Sequence, residues 1–69
     1  MSVAPDHFSP REREVLVWLS HGKTTNEICE ILGIRPATVE GYKREVMDRL
    51  GAVNVTALVA KALRQGLIQ

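Results

Sequence analysis

The sequence predicts an all-α domain built from four helices. Two capping patterns support this: Ser9 with Glu12, and Thr24 with Glu27. At this spacing a hydroxyl and a glutamate satisfy each other's backbone N–H groups at the start of a helix. Apolar residues then recur three and four positions apart, as on one buried helical face, and glycines end the pattern. The predicted helices span about residues 10–21, 25–32, 36–50 and 54–65.

The first predicted helix has Ser9 as its N-cap and Pro10 at its first position, where a missing N–H does no harm. Gly22 is the expected residue just beyond its end. Val15, Leu16 and Leu19 form its apolar stripe. Trp18 is interpreted as a packing residue, because base-stacking platforms usually include several aromatic residues and this chain has one Trp, one Tyr and one Phe.

The second and third helices have the spacing of a helix-turn-helix unit. If Thr25 is counted as its first residue, apolar side chains occupy the four positions at which the two helices pack together. These are Ile28, Leu32, Ile34 and Val39. Cys29 stands where a small side chain is needed, and Gly33 stands at the turn. This geometry directs the first turns of the third helix into a major groove of DNA.

The third helix has two different faces at 100° per residue. Val39, Val46 and Leu50 share the face predicted to be buried. The opposite face is formed by Ala37, Glu40, Gly41, Arg44 and Asp48. A glycine inside a helix costs about 1 kcal/mol relative to alanine. Either that cost is tolerated at Gly41, or the bare backbone lets a partner approach closely; the second interpretation is favoured.

The fourth predicted helix begins after Asn54, a favourable N-cap, and ends near Gly66. Its apolar arc is wider than docking on one core requires. Two interpretations stay open: a core helix with small exposed alanines, or a symmetric contact between two copies of the chain. The residues of the second interpretation are Thr56, Ala57, Ala60 and Leu63.

Length and composition limit the possible functions. The chain has 69 residues, 45% of them hydrophobic, which suffices for one small domain. We expect a flexible tail over residues 1–7 and a single domain over residues 8–69. No apolar run is long enough to span a membrane, and the N-terminus does not resemble a signal peptide. The lone Cys29 cannot form an internal disulfide, so a cytoplasmic protein is expected.

Nothing in the sequence indicates catalysis. It contains no nucleophile–base pattern, no paired catalytic carboxylates and no glycine-rich phosphate loop, so we do not expect an enzyme. His7, His21 and Cys29 lack the short spacing of a metal site, and neither a metal nor a cofactor is expected. The net charge of +1 gives little support to a nucleic-acid partner, so that hypothesis depends on where the charges lie.

Over residues 8–68 the chain resembles the LuxR/GerE/FixJ-type helix-turn-helix DNA-binding domains of bacterial transcription regulators. The matching segments are SPREREVL at residues 9–16, Gly22, Glu27 with Ile28, residues 32–34, residues 38–40, Leu50 with Gly51, and residues 66–68. The resemblance implies a four-helix domain that binds double-stranded DNA, with the third helix reading bases and the fourth forming a homodimer. RNA polymerase is a further partner compatible with such a regulator.

By the same resemblance, Glu40, Gly41 and Arg44 face the base edges. Arg44 has the geometry for a bidentate contact to guanine, and Glu40 can accept from the cytosine amino group or orient Arg44. The candidate phosphate contacts are Lys23, Thr24, Thr25, Arg35, Thr38, Tyr42, Lys43 and Arg49.

Two positions depart from the family pattern. Arg35 replaces the usual serine or threonine cap of the third helix, and Tyr42 replaces a common histidine. Losing the cap costs about 1 kcal/mol unless other groups substitute, and Arg35 is instead a candidate phosphate contact.

Two alternative functions remain at this point. One is a reader of promoter DNA like sigma-factor region 4, which the fourth helix and the Gly66–Ile68 ending argue against. The other is a protein-interaction module that kept the fold but does not bind DNA, which the low net charge favours.

Overall fold

The computed structural model describes residues 8–69 and confirms the four predicted helices. They are α1 (Pro10–Ser20), α2 (Thr25–Leu32), α3 (Pro36–Leu50) and α4 (Val55–Arg64). The helix α1 ends one residue earlier than predicted, because His21 is its C-cap. The helix α4 is one residue shorter than predicted at each end, where Asn54 and Gln65 are the caps. The predicted tail, residues 1–7, lies outside the described residues. Within residues 8–69 no helix is long and apolar enough to cross a membrane.

Side-chain caps explain where three of the helices begin. In α1 the Ser9 hydroxyl accepts from the Glu12 N–H at 3.2 Å, and the Glu12 carboxylate accepts from the Ser9 N–H at 2.9 Å. The same reciprocal pair joins Thr24 and Glu27 at the start of α2. The Asn54 side chain accepts from the Ala57 N–H, which begins α4. All three starts were predicted from local sequence.

The start of α3 differs from the other three. Its N-cap, Arg35, is extended (φ −78°, ψ 153°) and makes no side-chain capping bond. The extended conformation is the one that a following proline favours, and Pro36 occupies the first helical position. The Arg35 carbonyl accepts from the N–H groups of Thr38 and Val39 at 3.0 and 3.1 Å. The side chain of Arg35 therefore remains available for another partner.

The turns that follow α2 and α3 depend on glycine. Gly33 and Gly51 have φ values of 68° and 65°, in the left-handed region that a side chain disfavours. At the first turn the N–H groups of Gly33 and Ile34 both return to the Cys29 carbonyl, at 2.8 and 3.2 Å. This fixes the direction in which the chain leaves α2 and enters α3.

The helix α3 is the central element, since it packs against each of the other three. The side chains with no exposed surface come from all four helices: Val15, Leu16, Ile28, Val39, Val46, Leu58 and Ala62. Leu67 and Ile68, which follow α4, are also buried and close the core. Phe8 and Trp18 are partly buried against it, as the interpretation of Trp18 as a packing residue required.

Several apolar residues of α2 and α3 are only partly buried. Ile31 lies at helical spacing from Ile28, the fully buried residue of α2, but is 44% exposed. Cys29 and Leu50 are half-buried. The physical reason for Ile31 is that α2 packs chiefly against α3, so only the side of α2 around Ile28 is covered.

Candidate nucleic-acid interface

The rotation of α3 is fixed by its buried face. Val39 and Val46 are fully buried, which directs the opposite side of the helix outward. Glu40 and Arg44, one turn apart on that side, are exposed. The predicted distinction between a packing face and an outward face of α3 is therefore present in the structure.

Gly41 is not required by packing inside the domain. A Cβ atom built on it would meet no atom within 4 Å beyond its own neighbourhood in the helix. Gly41 lies beside a shallow depression of about 500 Å³ between α1 and α3, whose other lining residues are Ser9, Glu12, Thr38, Tyr42 and Glu45. Gly41 is half-buried, and the domain leaves space at this position for a side chain.

Glu40 has two partners that tie it to the surrounding structure. The hydroxyl of Thr25, the first residue of α2, donates a hydrogen bond to Glu40 Oε2. The ammonium of Lys43 lies 3.9 Å from the same oxygen. The carboxylate therefore connects the start of α2 with the exposed face of α3.

The two charged residues predicted to read bases line one surface groove. A groove of about 250 Å³ is bordered by Glu40, Lys43, Arg44, Met47, Asp48 and Ala52. Two acidic and two basic residues are among its lining residues. Such a surface offers both hydrogen-bond donors and acceptors to a partner, which is what the edges of base pairs require.

Apart from Thr25 and Arg49, the predicted phosphate contacts fall into two groups along the chain. The first group is at the start of α2, where the Thr24 hydroxyl caps the helix and Lys23 precedes it. The second group is on the first turns of α3: Arg35, Thr38, Tyr42 and Lys43. Arg35 and Thr38 are exposed, and the other two are half-buried.

Arg49 is the predicted phosphate contact with the most extensive contacts inside the domain. Its guanidinium lies 3.9 Å from the Glu12 carboxylate and 5.4 Å from the centre of the Phe8 ring. Glu12 is only 5% exposed, so a nearby cation compensates the loss of its hydration. The structure thus joins Arg49 to α1, a role that sequence reasoning missed because it depends on how the two helices cross.

The capping role of Glu27 lowers the pKa of its carboxyl group. The backbone N–H of Thr24 is the main cause that lowers the pKa of Glu27, and the Thr24 hydroxyl and the Lys23 charge act in the same direction. A carboxylate at a helix N-terminus is stabilised in its charged form. Glu27 is consequently a fixed negative charge at the base of α2.

The predicted dimer contacts lie on the outer side of α4. Thr56 is exposed, Ala57 and Ala60 are half-buried, and Leu63 is 50% exposed. Leu58 and Ala62, on the other side of the helix, are fully buried in the core. One side of α4 therefore stabilises the fold, while the other presents small and apolar side chains at the surface.

Residues 6–62 match the family described as bacterial regulatory proteins, luxR family. The transcriptional activator protein BjaR1 of Bradyrhizobium diazoefficiens is 48% identical over 61 residues, which cover 88% of this chain and 25% of that protein. The transcriptional activator protein EchR of Dickeya chrysanthemi is 40% identical over 68 residues, covering 99% of this chain and 27% of that protein. The chain thus spans about a quarter of the length of these relatives.

Solved structures show the same architecture. A Vibrio cholerae VqmA dimer, described as a LuxR-type receptor in the absence of target DNA, matches with a TM-score of 0.86 at 33% identity. That match covers 99% of this chain and 33% of the other. A VqmA–ligand–DNA complex matches with a TM-score of 0.78 at 33% identity, covering 97% and 27%. The chain therefore belongs to the luxR family of bacterial regulatory proteins, as the helix-turn-helix domain of a LuxR-type transcriptional regulator.

Proposed function

We propose that this domain binds double-stranded DNA sequence-specifically, with α3 in the major groove, and that it does so as a homodimer on a two-fold site. The observation that carries the proposal is the outward face of α3, where Glu40 and Arg44 are exposed and the neighbouring Gly41 has no side chain. A major groove about 12 Å wide admits a helix, and close approach requires a slim helical face. The similar VqmA structure in complex with DNA supports the same conclusion.

In this mechanism Arg44 reads guanine through its O6 and N7 atoms. A bidentate contact of this kind contributes about 1–3 kcal/mol of discrimination against the wrong base pair. Gly41 lets the helix backbone approach the base edges, and Glu40 accepts a hydrogen bond from a base amino group. These three positions supply specificity, because phosphate contacts alone carry no sequence information.

Affinity comes from groups on both sides of the reading face. The phosphates of one DNA strand are contacted by Lys23, Thr24 and the N-terminal turn of α2, since a helix N-terminus favours anions. Arg35, Thr38 and Tyr42 contact phosphates beside the first turn of α3. Lys43 and Arg49 complete the proposed phosphate set. Each neutralised phosphate steepens the salt dependence of binding by about 0.9 in log–log slope.

Dimerisation through the outer side of α4 places two copies of α3 on successive major grooves. Because the apolar patch is small, we expect weak self-association without DNA and stronger association on a two-fold site. A DNA-bound regulator of this kind acts in the bacterial cytoplasm and can present its remaining surface to RNA polymerase.

The competing hypothesis is a protein-interaction module that does not bind DNA. It is favoured by the net charge of +1, which gives little long-range attraction to DNA. A reader like sigma-factor region 4 is a weaker alternative, because the chain belongs to the luxR family and has the additional helix α4.

The test is fluorescence anisotropy on a duplex selected from a random pool, measured across a salt series. We expect Arg44→Ala to remove the preference for the selected sequence, at a cost of about tenfold or more in affinity for it. The matched change Lys43→Ala should weaken binding to all duplexes similarly and reduce the salt slope by about 1. A folded domain that binds no duplex at low salt would sink the DNA proposal and favour the interaction module.

A further inference from the structure

The hydrogen bond between Thr25 and Glu40 joins two residues with different predicted roles. Thr25 is the first residue of α2 and a predicted phosphate contact, whereas Glu40 is a predicted base reader on α3. The two are 15 positions apart in sequence, so only the packing of α2 against α3 brings them together. The contact therefore belongs to the helix-turn-helix unit as a whole.

The Thr25 hydroxyl has one proton to donate. In the structure this proton goes to the Glu40 carboxylate. An ionised carboxylate and a phosphate oxygen are both acceptors, so the hydroxyl cannot donate to the two at once. A phosphate contact by this hydroxyl would require the bond to Glu40 to break. The contact that the structure shows for this hydroxyl is the one with Glu40.

The contacts of Glu40 hold one carboxylate oxygen in place and leave the other able to accept a hydrogen bond from a base. Thr25 and Lys43 both contact Oε2, and no hydrogen bond from residues 8–69 engages Oε1. Glu40 is also half-exposed, with 47% of its side-chain surface accessible. A long side chain that is fixed before binding loses less rotamer freedom when a partner arrives.

We propose that Thr25 is a positioning residue that orients Glu40 and thereby sets the sequence preference at the base pair Glu40 reads. This inference rests on the proposed DNA-binding function. Thr25 fixes Oε2 by a hydrogen bond, whereas the Lys43 ammonium, 3.9 Å from that oxygen, is beyond hydrogen-bond distance and stays available to a phosphate. Oε1 accepts from the exocyclic amino group of the base. The start of α2 thus contributes to specificity although it does not touch a base.

The test compares Thr25→Val with Thr25→Ser. Valine has nearly the shape of threonine but no hydroxyl, whereas serine keeps the hydroxyl. Anisotropy would measure the ratio of Kd values for duplexes that differ only at the base pair read by Glu40. We expect Thr25→Val to reduce this ratio about fivefold or more and Thr25→Ser to keep most of it. Discrimination at the base pair read by Arg44 should be retained in both variants.

The matched control is Thr38→Val, which removes a hydroxyl from an exposed predicted phosphate contact on α3. It should weaken binding to every duplex by a similar factor without altering the ratio. If Thr25→Val behaves in the same way as Thr38→Val, Thr25 is a phosphate contact and the inference is wrong.

A second measurement needs no DNA. Urea unfolding of wild type, Thr25→Val, Glu40→Ala and the double variant forms a double-mutant cycle. We expect Thr25→Val to lower the urea midpoint in the wild-type background and to have little effect in the Glu40→Ala background. Equal shifts in both backgrounds would show that the two side chains are not coupled and would overturn the inference.

The anisotropy measurements distinguish a failure of this inference from a failure of the proposed function on which it rests. A wild-type domain without sequence preference contradicts the proposed function and removes the inference with it. A wild-type domain that discriminates between bases, with an unchanged ratio in Thr25→Val, contradicts the inference alone.

Discussion

At the scale of single residues, we expect a side chain at position 41 to raise the stability of the helix but to weaken the proposed DNA binding. A glycine inside a helix is normally replaced by a residue with a higher helix propensity. At this position the domain has space for a side chain, since an added Cβ would find no contact within 4 Å. Internal packing therefore does not explain the absence of a side chain, and this is the basis of the DNA-facing role proposed for Gly41.

We predict that Gly41→Ala stabilises the free domain by about 0.5–1 kcal/mol, because alanine restricts the unfolded chain and favours the helix. The same change should weaken specific DNA binding, since the methyl group separates the helix from the base edges. Urea unfolding and anisotropy measure the two effects. Gly33→Ala is the control: at φ 68° an added Cβ should destabilise the domain by about 1 kcal/mol. A Gly41→Ala domain with unchanged DNA affinity would contradict the role proposed for Gly41.

At the scale of secondary-structure elements, the start of α3 is the helix terminus with no side-chain cap. The other three starts have a capping hydroxyl or amide. In this protein the cap position holds Arg35, which is exposed and positively charged. The exposed guanidinium at this position is the basis for proposing Arg35 as a phosphate contact.

We predict that Arg35→Ser raises the free energy of unfolding by about 1 kcal/mol, because serine can accept from an N–H of the first turn. If Arg35 contacts a phosphate, the variant should also bind DNA more weakly and show a salt slope smaller by about 0.9. Denaturation and a salt titration measure these outcomes on the same sample. An unchanged salt slope would remove Arg35 from the phosphate set.

A second element-scale prediction concerns the acid stability of α2. Because the capping bonds lower the pKa of Glu27 in the folded state, its contribution is fully present above the ordinary value of 4.5. That contribution is lost as the pH falls through the lower, folded value. We expect the urea midpoint of wild type to fall more between pH 6 and about pH 3 than that of Glu27→Gln, which retains a side-chain acceptor without a charge. Equal losses in both proteins would show that this cap does not contribute to acid sensitivity.

The sequence was sufficient to predict the helices because their signals are local. The capping box of Ser9 with Glu12 lies within four residues, and so does that of Thr24 with Glu27. The two faces of α3 also follow from helical periodicity once Val39 is assigned to the core.

Contacts between helices were not predictable in the same way. The bond from Thr25 to Glu40 and the position of Arg49 near Glu12 depend on crossing angles and on distances between elements. The exposure of Ile31 has the same origin, because periodicity identifies an apolar face but not how much of it a neighbouring helix covers. The assignments of base and phosphate contacts stay predictions, since they concern a partner molecule.

At the scale of the whole molecule, the domain has two separate outward surfaces, one on α3 and one on α4. We predict that Leu63→Gln, on the α4 surface, lowers affinity for a two-fold site by about tenfold while leaving affinity for a single half-site unchanged. The reason is that two linked copies bind more tightly than independent ones. Anisotropy on half-site and full-site duplexes measures the difference. Sedimentation that detected a tight dimer at micromolar concentration without DNA would contradict the expected weak self-association.

The control for this prediction is Ile31→Gln, which makes a similar polar change at another half-exposed apolar side chain, on α2. It should alter binding to neither duplex. If both variants weaken the full site equally, general loss of stability explains the result, and the dimer contact is not on α4.

The division of α3 into a buried side and an outward side has a consequence for engineering. Val39 and Val46 are fully buried and hold the helix in the core, whereas Glu40 and Arg44 are exposed. Under the proposed function, new residues at Glu40 and Arg44 can be screened for altered target sequences without repacking the interior. Thr25 would have to be varied along with Glu40, so the smallest useful library covers three positions on two helices.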